Sequence, residues 1–371
     1  VKIPKLKIGN LISDIPIVQG GMGVRVSMAS LASAVANQGG IGTISSLGLG
    51  DVGSTKEMFE KVSLDALRKE IRKAFSLKKR GHLAINVMGV ASNADELIKT
   101  SIDEGIRIIV YGAGLPMKLP SLTEDPDVNL VPIVSSARVA NLILKGWDRR
   151  HGRTADALIL EGPLAGGHLG FSVEQLHDLE NNRVEDLLLD VLAAIKPYED
   201  KYGKKIPVIA AGGVYTGSDI ARLLNLGASG VQLGTRFVCT DECGVSTKFK
   251  KAYLDAKDED IVIVKSPVGM PGRALRNKFI MNLEKGNFPK IKCPFRCLSA
   301  CKIGNAKYCI AKALMNSFFG DVDNGLIFCG QNASRINKVI SVKQLITELL
   351  DELKKQPLLP SGKQNWTKLL S

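Results

Sequence analysis

The chain has 371 residues, 45% hydrophobic and 5% aromatic, with 37 glycines and a formal charge of +13 from 50 basic and 37 acidic side chains. This admits one large α/β barrel with an appendage or two average domains, built on a parallel sheet of small aliphatic residues without need of disulfides. No apolar run approaches the ~20 residues that span a bilayer, the first ten residues (VKIPKLKIGN) lack a signal-peptide pattern, and no finger or aromatic-basic strand spacing points to nucleic acid.

A cytoplasmic protein with neither a membrane nor a nucleic-acid partner is therefore expected. Eight short apolar runs follow one another: Ile15–Gly21, Ile41–Ser46, His82–Met88, Ile106–Ala113, Asn129–Ser136, Ala157–Pro163, Ile206–Gly213 and Gly230–Phe237. Most are four to eight residues long, the length of buried strands, and helical periodicity fills most of the gaps. Ser27–Gln38 starts with a serine and stops at Gly39-Gly40; Asn93–Glu104 stops at Gly105. Ala137–Lys145, Glu185–Tyr198 and Ser218–Leu226 continue the alternation. The charged connection from Gly48 to Arg80 predicts an extra helix over Lys56–Lys79. Leu115–Asp127, rich in proline, reads as a loop near the active face, and Phe171–Arg183 as a loop or short helix able to act as a lid.

Eight strands in βα order predict a closed (β/α)8 TIM barrel over residues 1–245. Beyond it the pattern changes. A small helical subdomain that carries cysteines, inserted or C-terminal, is expected over 246–355, with helices at Ser246–Ala256 and Val339–Lys355, a Pro/Gly stretch at 266–274 (SPVGMPGRA) and a tail at 356–371.

In a barrel the side chains that follow each strand gather at one face, where catalysis occurs. The seventh and eighth runs end in glycines, Gly212-Gly213 and Gly234 before Thr235. Bare glycines let amides approach a phosphate, and the loops after the last two strands of such barrels commonly cradle one. Glu161-Gly162-Pro163-Leu164-Ala165-Gly166-Gly167-His168 follows the sixth run. Its two glycines let backbone press on a planar or anionic ligand with His168 projecting over it, and histidine ordinarily titrates close to neutral pH, which suits proton transfer. His82 opens a strand; His151 and His177 lie in polar segments and are expected to be exposed. Gln19-Gly20-Gly21-Met22-Gly23 ends the first run and leaves room for a flat ring. Asn86 and Gln232 are polar residues within apolar strands, so each needs a partner in the protein or a ligand.

Taken together, IPIVQGGMG, HLAINVM, EGPLAGGH, IPVIAAGGV and GVQLGTRF, in this order over roughly residues 10 to 280, resemble the nitronate monooxygenase family, which includes flavin-dependent enoyl-ACP reductases. The resemblance implies an FMN-dependent enzyme. Gly21, Met22 and Asn86 would line the flavin ring, with Glu161 and Gly167 beside it. Gly212, Gly213, Gly234 and Thr235 would bind the FMN phosphate, with Gln232 close by. His168 would be the base that deprotonates a nitroalkane, or a positioning group in the reductases. The implied activity is oxidation of nitronates with O2; the alternative is an NAD(P)H-dependent enoyl-ACP or quinone-type reductase. Many nitronate monooxygenases carry Gln where this chain has Glu161, a residue associated with the reductase branch. The positive charge serves solubility and would also suit an acidic acyl carrier protein. A homodimer is compatible with the sequence.

Five of the seven cysteines follow in a C-x3-C-x3-C-x7-C-x19-C series, Cys293, Cys297, Cys301, Cys309 and Cys329. The spacing matches no standard zinc or ferredoxin pattern. Either these are reduced core thiols, or Cys297, Cys301, Cys309 and Cys329, with Cys293 in reserve, hold zinc or an iron–sulfur cluster. Cys239 and Cys243 read as packing residues. Gly330, Gln331 and Asn332 are expected to fold back over the active face.

Overall fold

A computed structural model describes residues 2–50, 56–291, 293, 297–299, 301, 304 and 306–359. An N-terminal hairpin, β1 (Leu6–Ile8) and β2 (Leu11–Ser13), turns at Gly9, whose φ is 52°. Then come β3 (Ile17–Gln19), β4 (Ile41–Ser45), β5 (His82–Met88), β6 (Ile108–Gly112), β7 (Asn129–Val134) and β8 (Leu158–Glu161). After a two-residue strand outside the barrel, β9 (Gly167–His168), follow β10 (Val208–Ala211) and β11 (Gly230–Leu233). The eight strands β3 to β8, β10 and β11 close into a parallel barrel, with β11 paired to β3. Each lies within one of the eight expected runs, and the TIM barrel stands.

Inward residues such as Val18, Ile41, Ala84, Val110, Val131, Ile159 and Ile209 fill the lumen, and Leu6 and Ile8 pack into the same cluster from below. The hairpin thus plugs the amino end and leaves the carboxyl end free for chemistry. Its three-residue strands were too short to read as strands in the sequence.

The helical wall is α1 (Ala29–Asn37), α2 (Lys56–Leu77), α3 (Ala94–Asp103), α4 (Ala137–His151), a short α5 (Val173–His177), α6 (Val184–Tyr202) and α7 (Gly217–Asn225). The helix expected as an extra over Lys56–Lys79 is α2, a regular barrel helix packed between α1 and α3; residues 51–55 of that connection lie outside the described residues. No α-helix separates β6 from β7. A 3-10 turn at Leu119–Leu122 fills the gap between α3 and α4, held where Trp147 Nε1 donates to the Pro116 carbonyl. The proline-rich segment Leu115–Asp127 therefore lies mainly on the wall rather than at the active face, and of its residues only Leu115 lines the cavity there. His151 is not exposed: its ring lies 3.0 Å from the Met117 carbonyl.

After β11 come α8 (Thr235–Val238), α9 (Thr247–Leu254), strands β12 (Ile261–Lys265) and β13 (Pro271–Leu275), α10 (Lys278–Glu284), α11 (Ile310–Phe319) and α12 (Val342–Lys354). α12 packs on α7 and α1, and so supplies the helix that follows the eighth strand. The cysteine-bearing segment is an insertion before the last barrel helix, and the barrel draws on chain from both sides of it. Nor is the insertion purely helical. SPVGMP is the turn of a β12–β13 hairpin, with GRA inside a strand, and β13 pairs with β9. Alternation is weak in IVIVK because this hairpin packs on both faces. Of the expected tail, residues 360–371 lie outside the described residues.

Candidate active site

A cavity of about 550 Å³ opens at the carboxyl end of the barrel, and all eleven residues singled out for chemistry or cofactor contact line it: Gly21, Met22, Asn86, Glu161, Gly167, His168, Gly212, Gly213, Gln232, Gly234 and Thr235. Strand register explains the convergence. Glu161, Ala211 and Gln232 sit side by side across β8, β10 and β11, each at or next to its strand's last residue.

One end of the cavity is bare backbone. Gly212 and Gly213 have φ near 90°, in the left-handed region that favours glycine. A Cβ on Gly212 would come within 2.8 Å of the Gly162 carbonyl oxygen. From the insertion, Asn332 Nδ2 donates to the Gly213 carbonyl (2.7 Å) and the Gly330 amide donates to Thr235 Oγ1 (2.8 Å). This leaves the threonine proton free to be donated into the cavity. Gly330, Gln331 and Asn332 thus close over the active face as expected.

Beside the cradle, Gln232 Oε1 is buried without a hydrogen-bond partner. Asn86 finds no side-chain partner among the described residues either; its backbone carbonyl accepts from the Ser46 amide and hydroxyl. A Cβ on Gly21 would overlap the Asn86 side chain, which needs that glycine to lie flat against strand β3's end. Buried polar groups seek hydrogen-bond partners, and bare backbone amides seek an anion. The exposed amides, the orphaned Gln232 acceptor and the free Asn86 amide group together fit a planar heteroaromatic ligand that carries a phosphate.

His168 is set by an element sequence reading missed. β9 pairs with β13, Gly272 opposite His168 and Arg273 opposite Gly167. The imidazole Nε2 lies 2.7 Å from Ser266 Oγ, and the Phe328 ring meets it edge-on at 5.0 Å. Arg273, 2% exposed, donates through Nη1 to the Pro163 and Ala165 carbonyls at 2.6 Å each, tying the EGPLAGGH loop to the hairpin. Ser266, Arg273 and Phe328 carry no local signature, because only the hairpin brings them to the site.

Burial pushes the Glu161 carboxyl up to about 7 and the His168 imidazole down to about 4. Near neutrality His168 is uncharged and Glu161 is partly protonated, protonation states that suit proton transfer. The two shifts bear oppositely on stability. Glu161, raised from 4.5, stabilises the fold fully below that value and loses the contribution as pH rises through 7. His168, lowered from 6.5, contributes above that value and loses it as pH falls through 4. Between about pH 4.5 and 6.5 they oppose one another. Glu161→Gln is therefore expected to make the protein lose stability toward acid, relative to the parent, with a slope of up to roughly 1.4 kcal/mol per pH unit. His168→Asn should show the opposite slope. Urea midpoints measured across this window check both signs.

The cysteines divide. Cys239 and Cys243 are buried, their thiols against the Lys250 and Val26 carbonyls. Cys329 lines the main cavity, its amide donating to the Arg273 carbonyl, and burial pushes its thiol up to about 12. It is held apart from the other three in the expected metal set, Cys297, Cys301 and Cys309, because the strand-like stretch ending at Cys329 follows β13. Cys293 takes its place: Cys293, Cys297, Cys301 and Cys309 line one small cavity. Cys297 is pushed up to about 12 by burial first, and then by the neighbouring thiols of Cys309, Cys293 and Cys301.

A closed parallel barrel whose carboxyl-end cavity gathers left-handed glycines, a histidine and a buried carboxyl defines a class by fold, the TIM barrels. The nitronate monooxygenase family model matches residues 5–352, and the chain belongs to that family, whose members generally depend on a flavin. It is 31% identical over 272 residues, 73% of this chain and 66% of the relative, to (3aS,4S,5R,7aS)-5-hydroxy-7a-methyl-1-oxo-octahydro-1H-indene-4-carboxyl-CoA dehydrogenase of Mycobacterium tuberculosis strain H37Rv. The chain thus spans just under two thirds of that relative's length. A probable nitronate monooxygenase of Staphylococcus saprophyticus is 27% identical over 298 residues, 73% of this chain and 78% of that one. Among solved structures, FabK from Thermotoga maritima superposes with a TM-score of 0.69 at 28% identity, covering 92% of this chain and 93% of that one. No helix among the described residues is long and apolar enough to cross a membrane.

Proposed function

We propose that this chain is an FMN-dependent oxidoreductase acting on an acyl thioester at the carbon–carbon bond next to the carbonyl. The supporting observation is the extent of the cavity. Beyond the cradle it is walled by Leu298, Ile310, Leu314, Met315 and Leu326 of the insertion, an apolar surface that a two- or three-carbon nitronate would leave uncovered. The relative in M. tuberculosis is named for a CoA-ester substrate. A chain of charge +13 suits the phosphates of coenzyme A or an acidic carrier protein.

In this reading the amides of Gly212, Gly213 and Gly234 and the Thr235 hydroxyl hold the FMN phosphate. Gly21, Met22, Asn86, Glu161, Gly167 and Gln232 surround the ring. Bound FMN supplies the hydride and single-electron chemistry that side chains lack, with NAD(P)H as reductant. His168, neutral at pH 7, takes the proton from the carbon beside the carbonyl in the oxidative direction; in the reductive direction the ring must first gain a proton, for which the partly protonated Glu161 carboxyl is the source in the same cavity. Ser266 fixes the plane of its ring, and Glu161 holds a second proton within the same cavity. The insertion's apolar wall keeps water from the reacting carbon.

The experiment is anaerobic reduction by NAD(P)H, seen as bleaching of the flavin, then reoxidation by an enoyl thioester. Oxygen uptake with a preformed nitronate and no NAD(P)H, without thioester turnover, would replace this reading by nitronate oxidation, which a neutral His168 also suits. His168→Ala separates the roles. Thioester turnover should fall roughly 10²–10⁴-fold with flavin content unchanged. If nitroalkanes are the substrates, turnover of the neutral nitroalkane should collapse while that of the nitronate survives. Protein that is colourless and cannot be reconstituted with FMN would overturn both readings.

A further inference from the structure

Four thiols of the insertion take no part in the chemistry above. Cys293, Cys297, Cys301 and Cys309 are all free and line one small cavity with Leu298, Tyr308 and Ile310. Tyr308 is 3% exposed, yet its hydroxyl has no hydrogen-bond partner. The Phe279 ring meets the phenol edge-on at 5.3 Å and holds it in place. A buried hydroxyl left without an acceptor is costly, so an unpaired donor in the wall of a four-thiol cavity points to a missing acceptor among the sulfurs.

The place of this cavity is fixed by backbone. Leu298 forms an antiparallel bridge with Ala91, the Ser92 amide donates to the Cys297 carbonyl (3.1 Å), and the Ser299 amide donates to the Val90 carbonyl (2.8 Å). These bonds stitch the cysteine segment to the loop that follows β5, at the active face. Cys297, Leu298, Ile310 and Ala311 line both this cavity and the main one, so the two share a wall.

Ligand chemistry narrows what the thiols hold. Around zinc, four thiolates bind one ion at about 2.3 Å, which brings their sulfurs within roughly 4 Å of one another. Among the described residues no group of three or more His, Cys, Asp or Glu is gathered for a single ion. A cubane cluster spreads its four thiolates over four iron atoms, and its sulfides accept hydrogen bonds. We propose that Cys293, Cys297, Cys301 and Cys309 bind a four-iron, four-sulfide cluster and that the Tyr308 hydroxyl donates to one of its sulfurs. This inference does not depend on the substrate or the flavin.

The full chain, purified without oxygen and reconstituted with ferric iron, a thiol reductant and sulfide, should hold about four iron and four sulfide per chain. It should gain a broad visible absorbance that dithionite bleaches, with an EPR signal in the reduced state. Cys297→Ser and Cys301→Ser should each lose the iron and sulfide, while Cys239→Ala, in the barrel core, keeps them; circular dichroism shows that the serine variants fold. Tyr308→Phe should keep the stoichiometry and lower the cluster's reduction potential, a shift that a packing role would not produce. One zinc per chain with no sulfide, a disulfide among the four, or four titratable thiols and no iron after reconstitution would overturn the proposal. Flavin extracted from the same samples is quantified separately, so failure here leaves the FMN reading untouched, and the reverse.

Discussion

Gly212→Ala is expected to yield a folded barrel that binds FMN at least 100-fold more weakly. The added methyl meets backbone, 2.8 Å from the Gly162 carbonyl oxygen and 3.0 Å from the Ala165 amide nitrogen, and neither can rotate away. A left-handed φ of 90° adds strain of about 1–2 kcal/mol for any residue with a side chain. Relief requires the loop after β10 to move, and with it the amides that would face the phosphate. Gly203→Ala serves as the control. Gly203 ends α6 with φ 60°, and an added methyl there would meet nothing within 4 Å, so it carries the strain without the collision. This variant should lose about 1 kcal/mol of stability and bind FMN normally. Equilibrium titration of the apoproteins with FMN, beside urea unfolding, measures both. Equal FMN affinity in Gly212→Ala and the parent would remove the cradle from the site.

Arg273→Met is the second large effect expected, about 2–5 kcal/mol of stability together with loss of turnover. The guanidinium is buried, and among the described residues no carboxylate pairs with it. Its partners are the Pro163 and Ala165 carbonyls, which methionine would leave without donors, at about 1–3 kcal/mol each. Relief of burying a charge offsets part of this. The consequence for activity follows from position. Pro163 and Ala165 lie between Glu161 and His168, so a loosened loop displaces both groups from the cavity. Arg273→Lys keeps the charge but not the fork and should recover only part of the loss. Urea midpoints and turnover together test this; unchanged values for both would mean that β9–β13 pairing alone holds the loop.

Every barrel strand was legible because a strand buried on both faces must be an unbroken apolar run, and those runs recur with helical stretches between them. The glycine cradle was legible for a local reason too: left-handed backbone and close approach demand glycine wherever the chain goes next. The EGPLAGGH loop, Asn86 and Gln232 stood out as polar or bare positions at strand ends, and barrel geometry brings all strand ends to one face.

The rest depended on contacts between distant parts of the chain. That α12 is the eighth barrel helix follows from its packing on α7 and α1, which no property of Val342–Lys354 announces. The β12–β13 hairpin was obscured because its strands draw their partners from β9, about a hundred residues earlier, and from one another. Ser266 and Arg273 gained their roles only through that pairing. The cysteines show the division most plainly. Spacing singled out the group, but which four thiols share a cavity was decided by the chain's path after β13, which carries Cys329 to the main cavity and leaves Cys293 with the others. Sequence by itself determined the barrel, its cradle and the residues at its rim, because those are set by local backbone and burial demands. Tertiary structure decided what surrounds His168 and how the thiols are grouped, because both rest on pairings between segments far apart in the chain.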